Sequence, residues 1–302
     1  MIGNRGRQMR GTTRQKGRTP VVPALGAALA LAVSVLLTGP ASAEEFRPNR
    51  VIVDYIEPRS ESLQGVYERM KKSRVLEEFA QFLAPVRLPT TLRIWGAECY
   101  AYADWLAYYS PEEHAIHFCY EYVDRLEKTG AAGMTEEGFE PAQVLMGAMV
   151  GMLLHETGHA LIDLLKVPVF GRDEDAADQI AEFIALQFDE DLAETITKGS
   201  SWFWLTDART MLYLNDYADV HSTSMERFVT YLCLAYGDDP DRFKDLAEQF
   251  LKARAPHCKD EYRQVEKAFA KTILPYVDPS VLEEVRARRW FAPSMYEAAP
   301  PP

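Results

Sequence analysis

The sequence predicts an α+β protein in which a small antiparallel sheet is followed by a mainly helical C-terminal part. Three observations predict it. Short stretches rich in alternating, β-favouring residues are confined to the first part of the chain. From Pro141 onward the apolar residues recur at helical spacing almost without interruption. No Gly/Ser/Pro-rich linker divides the two regions, so residues 44–296 read as a single domain with a strand-containing lobe at about 44–166 and a helical lobe at about 167–296.

In chain order, RVIVDYIEP (Arg50 to Pro58) alternates like a strand, and Ser62 to Leu83 repeats its apolar residues at helical spacing. LRIWGAECYAYADWLAYYS and AIHFCYEYV are extended pieces interrupted by the turn-like SPEEH, which completes the expected antiparallel sheet. Helices are expected at about 141–166, 174–188, 190–198, 203–214, 224–236, 240–253, 259–274 and 279–288. The final EAAPPP, residues 297–302, reads as a disordered tail with nothing to pack.

Residues 1–43 belong to a different kind of segment. The first twenty carry six Lys and Arg and no acid, Val21 to Leu37 is apolar, and Ala41, Ser42 and Ala43 form the small-residue pattern cut by signal peptidase. The expected mature chain begins at Glu44 and is secreted or periplasmic; the rival is an uncleaved anchor, since about 17 apolar residues just span a bilayer. The chain carries a net charge of −12, and losing six basic residues makes it more acidic still. Such a surface repels phosphates and anionic lipid heads, which argues against nucleic-acid and membrane-surface binding.

Four cysteines, Cys99, Cys119, Cys233 and Cys258, lack CxxC spacing, so a zinc ribbon or redox motif is not indicated. In an exported chain an even count predicts two disulfides. Three pairings are possible, and the sequence-local one, Cys99 with Cys119 and Cys233 with Cys258, is favoured. Each loop closed this way contributes about 3 kcal/mol in the chain-entropy view.

The chemistry concentrates in LLHETGHALIDLL, Leu153 to Leu165. Residues four apart share a helix face, so His155 and His159 can present imidazole nitrogens to one ion. Glu156 stands beside them, where a carboxylate can take a proton from water and later return it to a leaving amine. A catalytic zinc site needs a third protein ligand. Asp163 cannot supply it, because three ligands over eight residues of one helix would span about 12 Å. After Val167, Pro168 and Gly171, however, a second helix opens with Asp173, Glu174, Asp175 and, one turn on, Asp178. Glu174 is the favoured third ligand, with Asp178 accepting a hydrogen bond from a ligand imidazole such as His155; Asp175 and Asp178 are the alternative ligands. An acidic first turn also complements the helix dipole, which would by itself explain Asp173 to Asp175.

HETGH followed by EDAAD resembles the zincin metallopeptidases, in particular the gluzincin pattern of HExxH with a later ExxxD. That resemblance implies a zincin-like fold, Zn²⁺ held by His155, His159 and Glu174, and Asp178 behind them. More closely, HETGHALIDLLKVPVFGRDEDAADQ, with CYEYV, HSTSMERF, LAYGDDP and RAPHC, is similar to a bacterial family of unknown function described as metallopeptidases, over most of the mature chain. The metzincin pattern is absent, since Ile162 and Leu165 stand where its Gly and third His would fall. Zincins of the thermolysin type use a His or Tyr from the C-terminal lobe to stabilise an oxyanion, and YADVHS offers His221 and Tyr217 for that role. The aromatic stretch Ala101 to Tyr109 is a candidate edge strand for an extended peptide. His114 and His117 receive no metal role, and Trp202 to Trp204 reads as packing.

The expected function is therefore an exported zinc-dependent metallopeptidase acting on a peptide or protein substrate, with Glu156 as its base. The alternatives are a non-catalytic metal-stabilised scaffold and a metal-dependent amidase on cell-wall peptides.

Overall fold

A computed structural model of the chain describes residues 51–99, 106–133, 141–207 and 219–298, leaving aside the side chains of 130–133. The expected leader with its cleavage point, Tyr217, most of the aromatic stretch before Leu106, and residues 299–302 of the tail lie outside the described residues. Strand β1 (Val51–Tyr55) leads into helices α1 (Glu61–Ser73) and α2 (Val75–Phe82). Strands β2 (Leu92–Ala97), β3 (Ala107–Ser110) and β4 (Ala115–Cys119) follow, and then α3 (Tyr120–Gly133).

The four strands form one mixed sheet of order β1-β2-β4-β3, which corrects the expected antiparallel sheet. Pairs β1–β2 and β2–β4 are parallel; only β3–β4 is antiparallel. The connections explain the difference. Helices α1 and α2 carry the chain back between β1 and β2, which permits parallel pairing. After β2 the chain crosses to the far edge, forms β3, and returns through the turn at Pro111 to His114, where His114 has φ 48°, so that β4 inserts between β2 and β3. Strands β2 and β3, consecutive in sequence, are therefore not neighbours in the sheet.

A second correction concerns CYEYV. The strand stops at Cys119, and Tyr120 opens α3, because Tyr120, Val123 and Leu126 lie at helical spacing and are buried. Packing overrides the β-preference of the tyrosines: Tyr120 donates to the Gly96 carbonyl at 2.7 Å and Tyr122 to the Ala148 carbonyl at 2.9 Å.

Around α4 (Pro141–Leu164) the rest of the protein is arranged. It is apolar on all sides and buried from Val144 through Gly158, as a helix enclosed by protein must be. Strands β3 and β4 pack on one side, and helices α5 (Asp173–Ala185) and α6 (Glu190–Asp207) on others. Helix α6 runs straight through Gly199, Ser200 and Ser201, where the sequence suggested a break. A Cβ at Gly199 would lie 2.6 Å from the Gly147 Cα, so these small residues serve close helix contact and not chain reversal. Helices α7 (Ser224–Asp238), α8 (Lys244–Phe250), α9 (Ala255–Thr272) and α10 (Pro279–Arg286) complete the described chain.

The sequence-local disulfides form: Cys99 to Cys119, tying the end of β2 to the end of β4, and Cys233 to Cys258, tying α7 to α9. Among the described residues no helix is long and apolar enough to cross a membrane.

Candidate metal centre

Helix α4 delivers His155, Glu156 and His159 within the last three turns before its end at Leu164. Beyond it, Lys166 takes a left-handed conformation and Gly171 has φ 118°, reversing the chain into α5. The two helices then pack with almost no gap. This puts Glu174, in the first turn of α5, against the histidine face of α4.

The three expected ligands converge. His155 Nε2 lies 3.2 Å from His159 Nε2, and each lies 3.2 Å from Glu174 Oε2. Three donors on one face of a tetrahedron with bonds of about 2.0 Å stand about 3.3 Å apart, so the spacing fits a small divalent ion. The donor set of two imidazoles and one carboxylate suits zinc and its neighbours among the transition metals.

Each imidazole is held at its other nitrogen by a carboxylate of α5. His155 Nδ1 lies 2.8 Å from Asp178 Oδ1, and His159 Nδ1 lies 3.0 Å from Asp173 Oδ2. Such partners fix ring orientation in metal sites. Spacing one turn past Glu174 points to Asp178; for Asp173 the sequence indicates only the helix dipole, yet it reaches the second imidazole. Asp175, the other candidate ligand, turns away and accepts from Ser222 at 2.6 Å.

His221 also reaches the group, its Nε2 3.2 Å from Glu174 Oε2 and its Nδ1 2.9 Å from Asp219 Oδ1. It approaches the ligand carboxylate but is not among the three residues whose donor atoms all lie within 4.8 Å of one another.

The electrostatics are those of a site built to surround positive charge. Burial opposes ionisation of Glu174, but hydrogen bonds from His155, His159 and His221 hold its carboxyl far below the usual range. Burial would likewise lower His159, but Glu174, Glu156 and Asp173 push it up to about 9. In the metal-free chain, the proton held on His159 takes the place of a cation.

The centre opens into a cavity of about 560 Å³. One wall is the edge strand β3 with Ala107, Tyr108 and Tyr109; the floor includes Met152, Glu156 and Trp204. Glu156 is only 4% exposed and lines the cavity beside the ligand pair. Tyr109 donates to Asp163 at 2.9 Å, which occupies the aspartate one turn beyond His159.

A family model described as "Putative metallopeptidase" matches residues 55–273. The chain belongs to that family. The matched region holds both disulfides and the whole His155, His159, Glu174 group, with its carboxylate partners. No curated protein and no solved structure matches the chain.

For this family member, three residues of the centre escaped sequence reasoning. Arg227 and Tyr231 on α7 both bond to Asp178, and Trp204, expected as packing alone, is buried yet lines the cavity and lies against Arg227. The available signal was their spacing: Arg227 and Tyr231 are four apart on α7, and the motif HSTSMERF contains the arginine. His114 and His117 stay outside the centre. His117 stacks on Tyr108 and meets Glu113 at 2.8 Å, while His114 Nδ1 lies 3.5 Å from the Tyr109 hydroxyl.

Proposed function

We propose that the protein is an exported zinc-dependent peptidase of zincin type, hydrolysing peptide bonds with water. The observation that carries this reading is the triangle of donors at 3.2 Å with Glu156 beside it, in a chain whose family is described as metallopeptidase. His155, His159 and Glu174 would hold the ion. When bound there, zinc supplies Lewis acidity toward a carbonyl oxygen and makes water more acidic.

The remaining work falls to the chain's own groups. Glu156 takes the proton of the attacking water and passes it to the leaving amine. His221, oriented through Nδ1 by Asp219, donates from Nε2 to the oxyanion once substrate draws it from Glu174. Strand β3, last in the sheet order among the described residues, lines the cavity, and an extended peptide would lie along it. Two disulfides support an oxidising compartment, in line with the leader at residues 1–43. A scaffold role leaves Glu156 without work in the cavity. An amidase on cell-wall peptides would use the same groups.

The test is the zinc content of purified chain from Glu44 to Pro302, for wild type beside Glu174→Ala, followed by incubation with a peptide library. One zinc per wild-type chain, lost or much weakened in the variant, together with cleavage, supports the proposal. Absence of any bound divalent metal after reconstitution overturns it.

A further inference from the structure

Arg227 is 6% exposed, so its charge must be met inside the protein. Asp178 meets it with both oxygens, Oδ2 accepting from Nε at 2.8 Å and Oδ1 from Nη2 at 2.6 Å. On its other side the guanidinium carbon lies 3.7 Å from the centre of the Trp204 ring. Tyr231, one turn further along α7, donates to Asp178 Oδ1 at 3.2 Å. The carboxylate is thereby fixed in plane and direction, and Oδ1 is left facing His155 Nδ1 at 2.8 Å.

This fixation matters because His155 has a choice of tautomer. Its Nδ1 also lies 3.1 Å from Arg227 Nη2, a group that can only donate. If Nδ1 accepted from the arginine, the ring proton would sit on Nε2, which faces Glu174, and no lone pair would remain there for a metal. If Nδ1 carries the proton and gives it to Asp178, Nε2 is free. Both contacts involve an ionised partner, the arginine as donor or the carboxylate as acceptor, and the one with the carboxylate is the shorter, 2.8 Å against 3.1 Å, so it is the one that places the ring proton on Nδ1.

We infer that Arg227 is a positioning residue for the metal centre: by its two-bond hold on Asp178 it keeps His155 in the tautomer whose Nε2 lone pair points at the ion. The inference rests on the metal reading proposed above. It makes affinity for the ion depend on α7, a helix that supplies none of the three ligands. Lysine at this position would keep the charge but cannot bridge both oxygens.

The experiment has two readouts. Long-range ¹⁵N–¹H spectra of the metal-free chain report the ring proton of His155 directly. Zinc affinity by chelator competition, with the visible spectrum of the cobalt form, reports the consequence. Wild type is expected to carry the His155 proton on Nδ1. Arg227→Lys should show mixed tautomers, a zinc affinity lower by about 10- to 100-fold and an altered cobalt spectrum. The double variant Asp178→Asn, Arg227→Met removes both buried charges together, and should fold while losing affinity in the same way, which guards against failure of single variants to fold. A proton on Nε2 in wild type, or zinc affinity unchanged in Arg227→Lys and in the double variant, overturns the inference alone. No zinc binding by wild type overturns the metal reading, and this inference with it.

Discussion

Gly158 of α4 and Ala177 of α5 are so close that a Cβ on the glycine would lie 2.8 Å from the Ala177 Cα. The glycine lies between Glu156 and His159, and its missing side chain lets α5 close far enough for Glu174 to reach the histidines. Gly158→Ala should therefore push the helices apart. The expected cost is about 1–3 kcal/mol of stability, with weakened zinc binding. Gly147→Ala crowds the Thr195 carbonyl of α6 and should cost stability with a smaller effect on zinc. Urea unfolding and metal titration of the two variants separate these effects; equal loss of zinc affinity in both would contradict the argument.

The two orienting carboxylates differ in exposure, Asp178 being buried and Asp173 having a side chain 57% exposed. An exposed partner competes with water, so Asp173→Asn should weaken zinc binding by less than about 10-fold and Asp178→Asn by about 10- to 100-fold. Competition with a chelator at fixed pH measures both. Reversal of the order would show that burial does not rank them.

Glu156→Gln keeps the shape of the side chain but not its basicity. Metal content should stay at the wild-type level while hydrolysis of a cleaved library peptide falls by about 10²- to 10⁴-fold. A variant with full activity would remove Glu156 from the mechanism.

Glu182 is fully buried in α5, its Oε1 accepting from Thr197 at 2.5 Å and its Oε2 without a hydrogen-bond partner among the described residues. Burial pushes its carboxyl from 4.5 up to about 8. Between those values the folded chain holds a proton that the unfolded chain has released, so this group's contribution to stability falls as pH rises through the window. The slope is at most about 1.4 kcal/mol per pH unit. Glu182→Gln should flatten the dependence on pH and leave the protein more stable than wild type near pH 8. Denaturation curves from pH 5 to 8 would refute this if both proteins showed the same slope.

Removing the Cys233–Cys258 bridge by a double Ala substitution should cost about 3 kcal/mol, since it frees a 25-residue separation in the unfolded chain. An unchanged midpoint of urea unfolding would count against that entropy argument.

By itself the sequence determined what depends on spacing along one helix or across one turn. His155 and His159 share a face because they are four apart; Glu174 reaches them because the chain reverses at Gly171, a few residues after α4 ends. The sequence-local cysteine pairs belong to the same class. Tertiary structure decided what depends on partners far apart in the chain. β4 inserts between β2 and β3, so the sheet is mixed, and CYEYV becomes helical once Tyr120 and Tyr122 find acceptors on other elements. Arg227 meets Asp178 across 49 residues and His155 across 72, separations that no periodicity records. The physical reason is that local spacing sets the direction of a side chain on its own element, whereas the group waiting there is set by how whole elements pack to bury apolar surface and satisfy buried charge.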